Sequence, residues 1–177
     1  GWPVSFDTPF FHMEFDGQGE ICGIRDLRED RELLKKGAVG NELLVYEDRP
    51  MEFDAWNIDA GYREKKWKFG GVTEFYLEEN GPVRGCLFIR RRFMDSVLEQ
   101  KICFYPHTSR IDFKTKADWN ESQLLLRTSF PLDIQSSEAD FEIQFGNVKR
   151  PVHKNTTWDQ ARFEVCAHKW MDLSEYG

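Results

Sequence analysis

The sequence predicts an all-β fold, an antiparallel β-sandwich, on three observations. Apolar and polar residues alternate with a period of two, candidate strands are long and joined by short turns, and one segment alone is rich enough in helix formers to compete. Each alternating strand has one face to bury, and packing two antiparallel sheets face to face covers those faces.

The elements follow in chain order. Phe11, Met13 and Phe15 point one way and His12, Glu14 and Asp16 the other. Asp16-Gly17-Gln18-Gly19 then supplies turn residues ahead of Ile21, Cys22 and Ile24, which predicts a hairpin. Residues 26–37 (DLREDRELLKKG) read either as a helix ended by Gly37 or as a strand with a solvated charged turn. Strands are predicted over 42–47, 72–79, 83–93, 97–105 and 123–133, with breaks at Asn80-Gly81-Pro82 and Met94-Asp95-Ser96. Ile111, Phe113, Thr115 and Ala117 alternate with Arg110, Asp112, Lys114 and Lys116. Ala139, Phe141, Ile143 and Phe145 do the same against Asp140, Glu142 and Gln144. A layer of such Phe, Ile and Leu side chains, at about 25 cal/mol per Å² of apolar area removed from water, supplies most of the stabilisation.

A chain of 177 residues is long enough for one cored domain over 1–177 and short for two. Its 40% hydrophobic and 15% aromatic residues exclude a disordered chain, and its 31% charged residues are those of a soluble surface. The net charge of -7 supplies no field to draw a polyanion, and the dense basic cluster Arg90-Arg91-Arg92 lies inside a predicted strand, so no nucleic-acid partner is expected. No apolar run approaches the roughly 20 residues that span a bilayer, and no membrane partner is expected. Cys22, Cys86, Cys103 and Cys166 form no C-x-x-C pair. Cys86 and Cys103 lie in strand-like apolar runs and read as buried thiols, which favours a reducing compartment. The chain opens on Gly1 and stops at Tyr176-Gly177, just after a hydrophobic segment, as a piece of something longer would.

Three segments break the alternation: 46–59 (YEDRPMEFDAWNID), 62–67 (YREKKW) and 145–170. Charged and aromatic residues on loops over a rigid sheet are where binding is usually found. A glycosidase pair drawn from Glu47, Asp48, Glu52, Asp54 and Asp59 would need two carboxyls converging on one bond, and nearness in sequence does not supply that. Asp48 beside Arg49 reads instead as a structural ion pair or as a residue that holds the turn before Pro50, because a guanidinium keeps a carboxylate ionised and a poor general acid. Trp56, between Asp54 and Asp59, reads either as a sugar-stacking platform or as an aromatic packed at the sandwich edge. His153 and His168, with Asp159 or Glu164, lack a metal-ligand spacing and read as hydrogen-bonded loop histidines; no metal or catalytic residue is assigned.

The segments YEDRPMEFDAWNID and FEIQFGNVKRPVHKNTTWDQARFEVCAHKWMDLSEYG resemble the carboxy-terminal β-domain of glycoside hydrolase family 38, the α-mannosidases, and its cytosolic and vacuolar branch above all. The resemblance covers residues 10–177. It implies a galactose-mutarotase-like supersandwich, truncated at its carboxy end, in a multi-domain retaining exo-α-mannosidase. The nucleophile, the acid/base and a divalent metal, zinc or cobalt, would belong to an amino-terminal barrel, followed by a helical domain. The chain is then expected to be cytoplasmic, to hold no cofactor itself, to be inactive alone, and to pack on the barrel and helical domains. It also implies an arginine and an aromatic residue lent to the α-mannoside pocket, carried over to Arg150 and Trp56, with Asp48, Arg49, Asp54 and His153 supporting the pocket wall or an interdomain contact. A further strand beyond Tyr176-Gly177 would leave an exposed sheet edge and a possible homodimer. The alternative is an independent carbohydrate-binding module.

Overall fold

A computed structural model describes residues 4–54 and 56–175; Ala55 and the chain end at Tyr176-Gly177 lie outside the described residues. The chain divides into two compact units, Gly1–Leu132 and Asp133–Gly177. Among the described residues the fold is all-β apart from short helical turns, and every strand pairing is antiparallel, as a sandwich requires.

In the first unit, β1 (Val4–Asp7), β2 (Phe11–Phe15), β3 (Ile21–Asp26) and β4 (Arg31–Glu32) form one sheet in chain order. The predicted hairpin is β2–β3. The segment 26–37 takes its strand-and-turn alternative. Asp26 accepts the Arg28 backbone N–H at 2.9 Å, Asp30 sits at φ 52° and Gly37 at φ 75°, so the helix is interrupted at both positive-φ residues. A second sheet runs β10 (Ile111–Asp118), β9 (Ser96–Phe104), β8 (Gly85–Phe93), β7 (Val72–Asn80). A third runs β11 (Leu124–Ser129), β5 (Glu42–Glu47), β6 (Lys66–Lys68).

Phe11, Met13 and Phe15 of β2 and Ile21 and Ile24 of β3 pack against Leu87 and Ile89 of β8 and Ile102 and Phe104 of β9. Farther along β9, Leu98 joins Leu43 and Val45 of β5 and Phe69 in a second apolar cluster. The face of the second sheet therefore carries both clusters. Buried polar residues accompany them. Asn41 donates through Nδ2 to Gln100 Oε1 at 2.6 Å, and Gln100 returns Nε2 to Asn41 Oδ1 at 3.2 Å and to Thr115 Oγ1 at 3.1 Å. Arg91, 3% exposed, donates Nη2 to the carbonyls of Gln18 and Gly19 at 2.9 and 3.1 Å. Gly19 lies at φ 69°, and a Cβ there would meet Ile89 Cδ1 at 3.0 Å, so this turn accepts glycine and little else.

The reading of Cys86 and Cys103 as free thiols is overturned. They face each other directly in the β8–β9 register, with Cα atoms 4.2 Å apart, and are joined as a disulfide. Burial was read correctly, at 1% exposure for each. The compartment argument built on thiols loses its ground. Cys22 and Cys166 are free and exposed.

In the second unit, β12 (Glu138–Ile143) pairs with β13 (Gly146–Pro151) on one side and with β14 (Met171–Asp172) on the other. Predicted strand residues 139–145 thus end at Ile143, and Phe145 becomes part of the turn. The helix α1 (Thr157–Ala161) starts on a capping box: Thr156 Oγ1 accepts the Asp159 N–H at 3.1 Å, and the Asp159 carboxylate accepts the Thr156 N–H at 3.1 Å.

Candidate functional site

The sequence-derived candidates fall in two places, one in each unit. In the first, Asp48, Arg49, Asp54 and Trp56 belong to the loop between β5 and the short 3-10 helix Ala60–Glu64. The loop leaves the end of β5, the central strand of its sheet, where the Glu47 N–H donates to Lys65 O at 3.1 Å on one side and the Asp48 N–H to Gln123 O at 2.8 Å on the other. It closes on itself at Phe53, whose carbonyl accepts the N–H groups of Trp56 and Asn57 at 2.7 and 2.9 Å. Asp59 braces it, accepting the Met51 N–H at 2.9 Å and Asn57 Nδ2 at 3.0 Å. Trp56 stands out at 91% exposure, so the edge-packing alternative for it is not realised.

The expected Asp48–Arg49 pair does not form. Arg49 turns to Glu47, at 3.5 Å, and Lys65 reaches the same carboxylate at 2.8 Å. Asp48 Oδ1 is buried without a hydrogen-bond partner, and burial, then the nearby Asp54 and Asp59 charges, push its carboxyl above the usual aspartate range.

In the second unit, Arg150 lies on β13 opposite Ala139. Its guanidinium sits over the Phe141 ring, 4.9 Å from the centroid, and donates Nη1 to Cys166 O at 3.0 Å. Arg150 and His153 line one shallow hollow together with Lys154, Asp159 and Arg162. His153 Nδ1 is 3.7 Å from Asp159 Oδ2. Bonds from Thr156, with help from the neighbouring cations, hold the Asp159 carboxyl below its ordinary range. The hollow sets the Arg150, Lys154 and Arg162 cations near the Asp159 carboxylate, among Pro151, Val152 and Val165, an arrangement whose donors suit hydroxyl or carboxylate groups.

Among the described residues no group of three or more His, Cys, Asp and Glu side chains converges, and His168 is tied to β12 through its N–H, which donates to Glu142 O at 3.3 Å. Sequence reasoning missed Lys154 and Arg162 beside Arg150, and the bracing by Asp59. Asp59 precedes a helical turn and looks like a cap; it makes no capping bond there.

The described residues define an all-β domain of antiparallel sheets with exposed charged and aromatic loops. Comparison gives its family. Residues 6–177 match the glycosyl hydrolases family 38 C-terminal domain, and the chain belongs to that family. It is 35% identical over 176 residues to human alpha-mannosidase 2C1, covering 98% of this chain and 17% of that protein. It is also 35% identical to alpha-mannosidase G of Dictyostelium discoideum over 179 residues, 98% of this chain and 16% of that protein. The alpha-mannosidase of Saccharomyces cerevisiae is 29% identical over 177 residues, 89% of this chain and 15% of that protein. The chain thus spans about one-sixth of the length of these relatives.

Proposed function

We propose that this chain is the non-catalytic β-domain of an α-mannosidase, part of a mutarotase-like supersandwich that packs on a catalytic domain outside it and helps shape the mannoside pocket. The observation that carries the reading is the family match along nearly the whole chain, joined to a site that holds donors and aromatic surface but no acid/base pair. Arg150 is the pocket candidate with the best chemistry. Its planar donors suit sugar hydroxyls, and Phe141 beneath it limits its rotamers, so little ordering entropy is lost on binding.

The test is Arg150→Ala in the full-length enzyme. The expected result is a loss of at least tenfold in kcat/KM toward an aryl α-mannoside in enzyme whose circular dichroism shows it still folded; unchanged kinetics remove Arg150 from the pocket. Trp56 at 91% exposure favours a second reading, an independent carbohydrate-binding module. Titrating mannose into the 177-residue chain separates the two, because a module binds it alone and an accessory domain does not. Association of two copies along an exposed sheet edge, and a cytoplasmic location, belong to the first reading and are tested by sedimentation and by fractionation.

A further inference from the structure

The turn around Phe53 carries large apolar side chains that its own unit does not bury. Met51, Phe53 and Trp56 are 93%, 71% and 91% exposed. Phe53 also sits at φ 58°, in the left-handed region where a side chain crowds the following carbonyl and glycine or asparagine is favoured. Local stability alone would therefore place a small or polar residue at 53. The turn is nonetheless held firmly, by the two bonds to the Phe53 carbonyl and by Asp59, which gives its carboxylate to Met51 N–H and Asn57 Nδ2 instead of capping the helical turn that follows it. Strained backbone kept in place around exposed apolar groups marks a functional segment, and preordering lowers the entropy lost when such groups are covered.

We infer that Met51, Phe53 and Trp56 form a preordered plug that seats in an apolar socket ringed by arginine and lysine on the part of the family 38 polypeptide outside this chain. The inference rests on the domain reading above and deepens it, assigning this turn to interdomain contact. Relatives supply the room for a socket, since 17% of the human protein corresponds to this chain. Charge supplies the rim. Glu52 and Asp54 flank the apolar groups and are exposed, and the segment's one arginine, Arg49, is engaged with Glu47. A purely apolar socket would desolvate these carboxylates without return. A sugar ring can cover Trp56, but it leaves Met51 and the strained Phe53 unexplained; a protein surface covers all three.

The test compares Phe53→Asn in two settings. In the 177-residue chain it raises the thermal midpoint by about 2–4 °C, because asparagine tolerates the left-handed backbone. In the full-length protein the amides of Met51, Trp56 and Asn57 exchange at least tenfold more slowly than in the 177-residue chain, and the double variant Met51→Ser with Phe53→Asn abolishes that difference. A lower midpoint for Phe53→Asn in the chain alone, or equal exchange in the two proteins, overturns the plug. The two readings fail separately. If Arg150→Ala changes the kinetics while the turn exchanges freely, the plug is wrong and the pocket role stands. If the turn is protected and Arg150→Ala is silent, the plug stands and the pocket role falls.

Discussion

Ile89 in the first unit has no exposed surface, whereas Phe145 in the second has all of its ring in solvent. The contrast runs through both units. The first buries whole rows of Phe, Ile and Leu between its sheets. In the second, Ala139 is the one buried side chain among the described residues, and Trp158 and Met171 are 74% and 60% exposed. The first unit holds its shape by burial; the second by a three-stranded ladder, a capping box and the Arg150 contacts. A small sheet without a core opens locally at little cost. The separation of roles is instructive: the cored unit can carry a strained loop at Phe53, while the uncored unit keeps its cations at the surface, where a ligand or another domain can meet them.

The sharpest way to break this comparison is to excavate both units. Ile89→Ala should lower the unfolding free energy by about 2–5 kcal/mol in urea titration, and Met171→Ala by no more than about 0.5 kcal/mol. Equal effects would show that the second unit has a core of its own.

Next in size comes the buried polar pair. Gln100→Ala leaves the Asn41 amide, 1% exposed, without its partner, and should cost about 1–3 kcal/mol in the same titration. A neutral result would mean that water replaces the glutamine.

Two aspartates of the first unit sharpen the comparison between core edge and loop, because their pH dependences have opposite signs. Arg28 hydrogen bonds hold the Asp26 carboxyl at about 2 against an ordinary 3.8. Its stabilisation is complete above about pH 4 and is lost as pH falls toward 2. Asp48 is displaced upward, by burial first, so the folded state binds the proton more tightly than the unfolded state. Its contribution is most favourable in acid and declines as pH rises through the raised value. Asp48→Asn should therefore raise the thermal midpoint at neutral pH, and Asp26→Asn should lower it. A lower midpoint for Asp48→Asn would reveal a partner for the ionised carboxylate.

The smallest expected effect is that of Trp56→Ala on the chain alone, within about 0.5 kcal/mol, since 91% of the side chain is already in water. A larger loss would mean that the indole packs locally after all.

The sheets were legible because alternation is a property of each strand by itself. Strands 42–47, 72–79 and 97–105 fall within a residue or so of Glu42–Glu47, Val72–Asn80 and Ser96–Phe104. The disulfide was within reach and missed. Cys86 and Cys103 are equidistant from the Met94-Asp95 turn, and pairing outward from that turn sets them opposite each other. Short strands such as Lys66–Lys68 and Met171–Asp172 carry no periodic signal, because two or three residues cannot alternate, and their place depends on the strand they join. In the loop, the sequence displayed Trp56 and the carboxylates but not their partners. Which side Arg49 takes, and whether Asp59 caps a helix or braces a turn, are decided by backbone direction. The hollow around Arg150 was half legible: the arginine and His153 were singled out, while Lys154 and Arg162 joined them only through the fold.

The central claim, that this domain shapes a mannoside pocket and leaves bond cleavage to another part of the enzyme, meets its most direct test in an assay of the purified 177-residue chain with an aryl α-mannoside. The expected result is no release of the aryl group above the uncatalysed rate, with or without added zinc or cobalt. Sustained release that survives further purification and disappears on substituting Asp48 or Asp159 would contradict it.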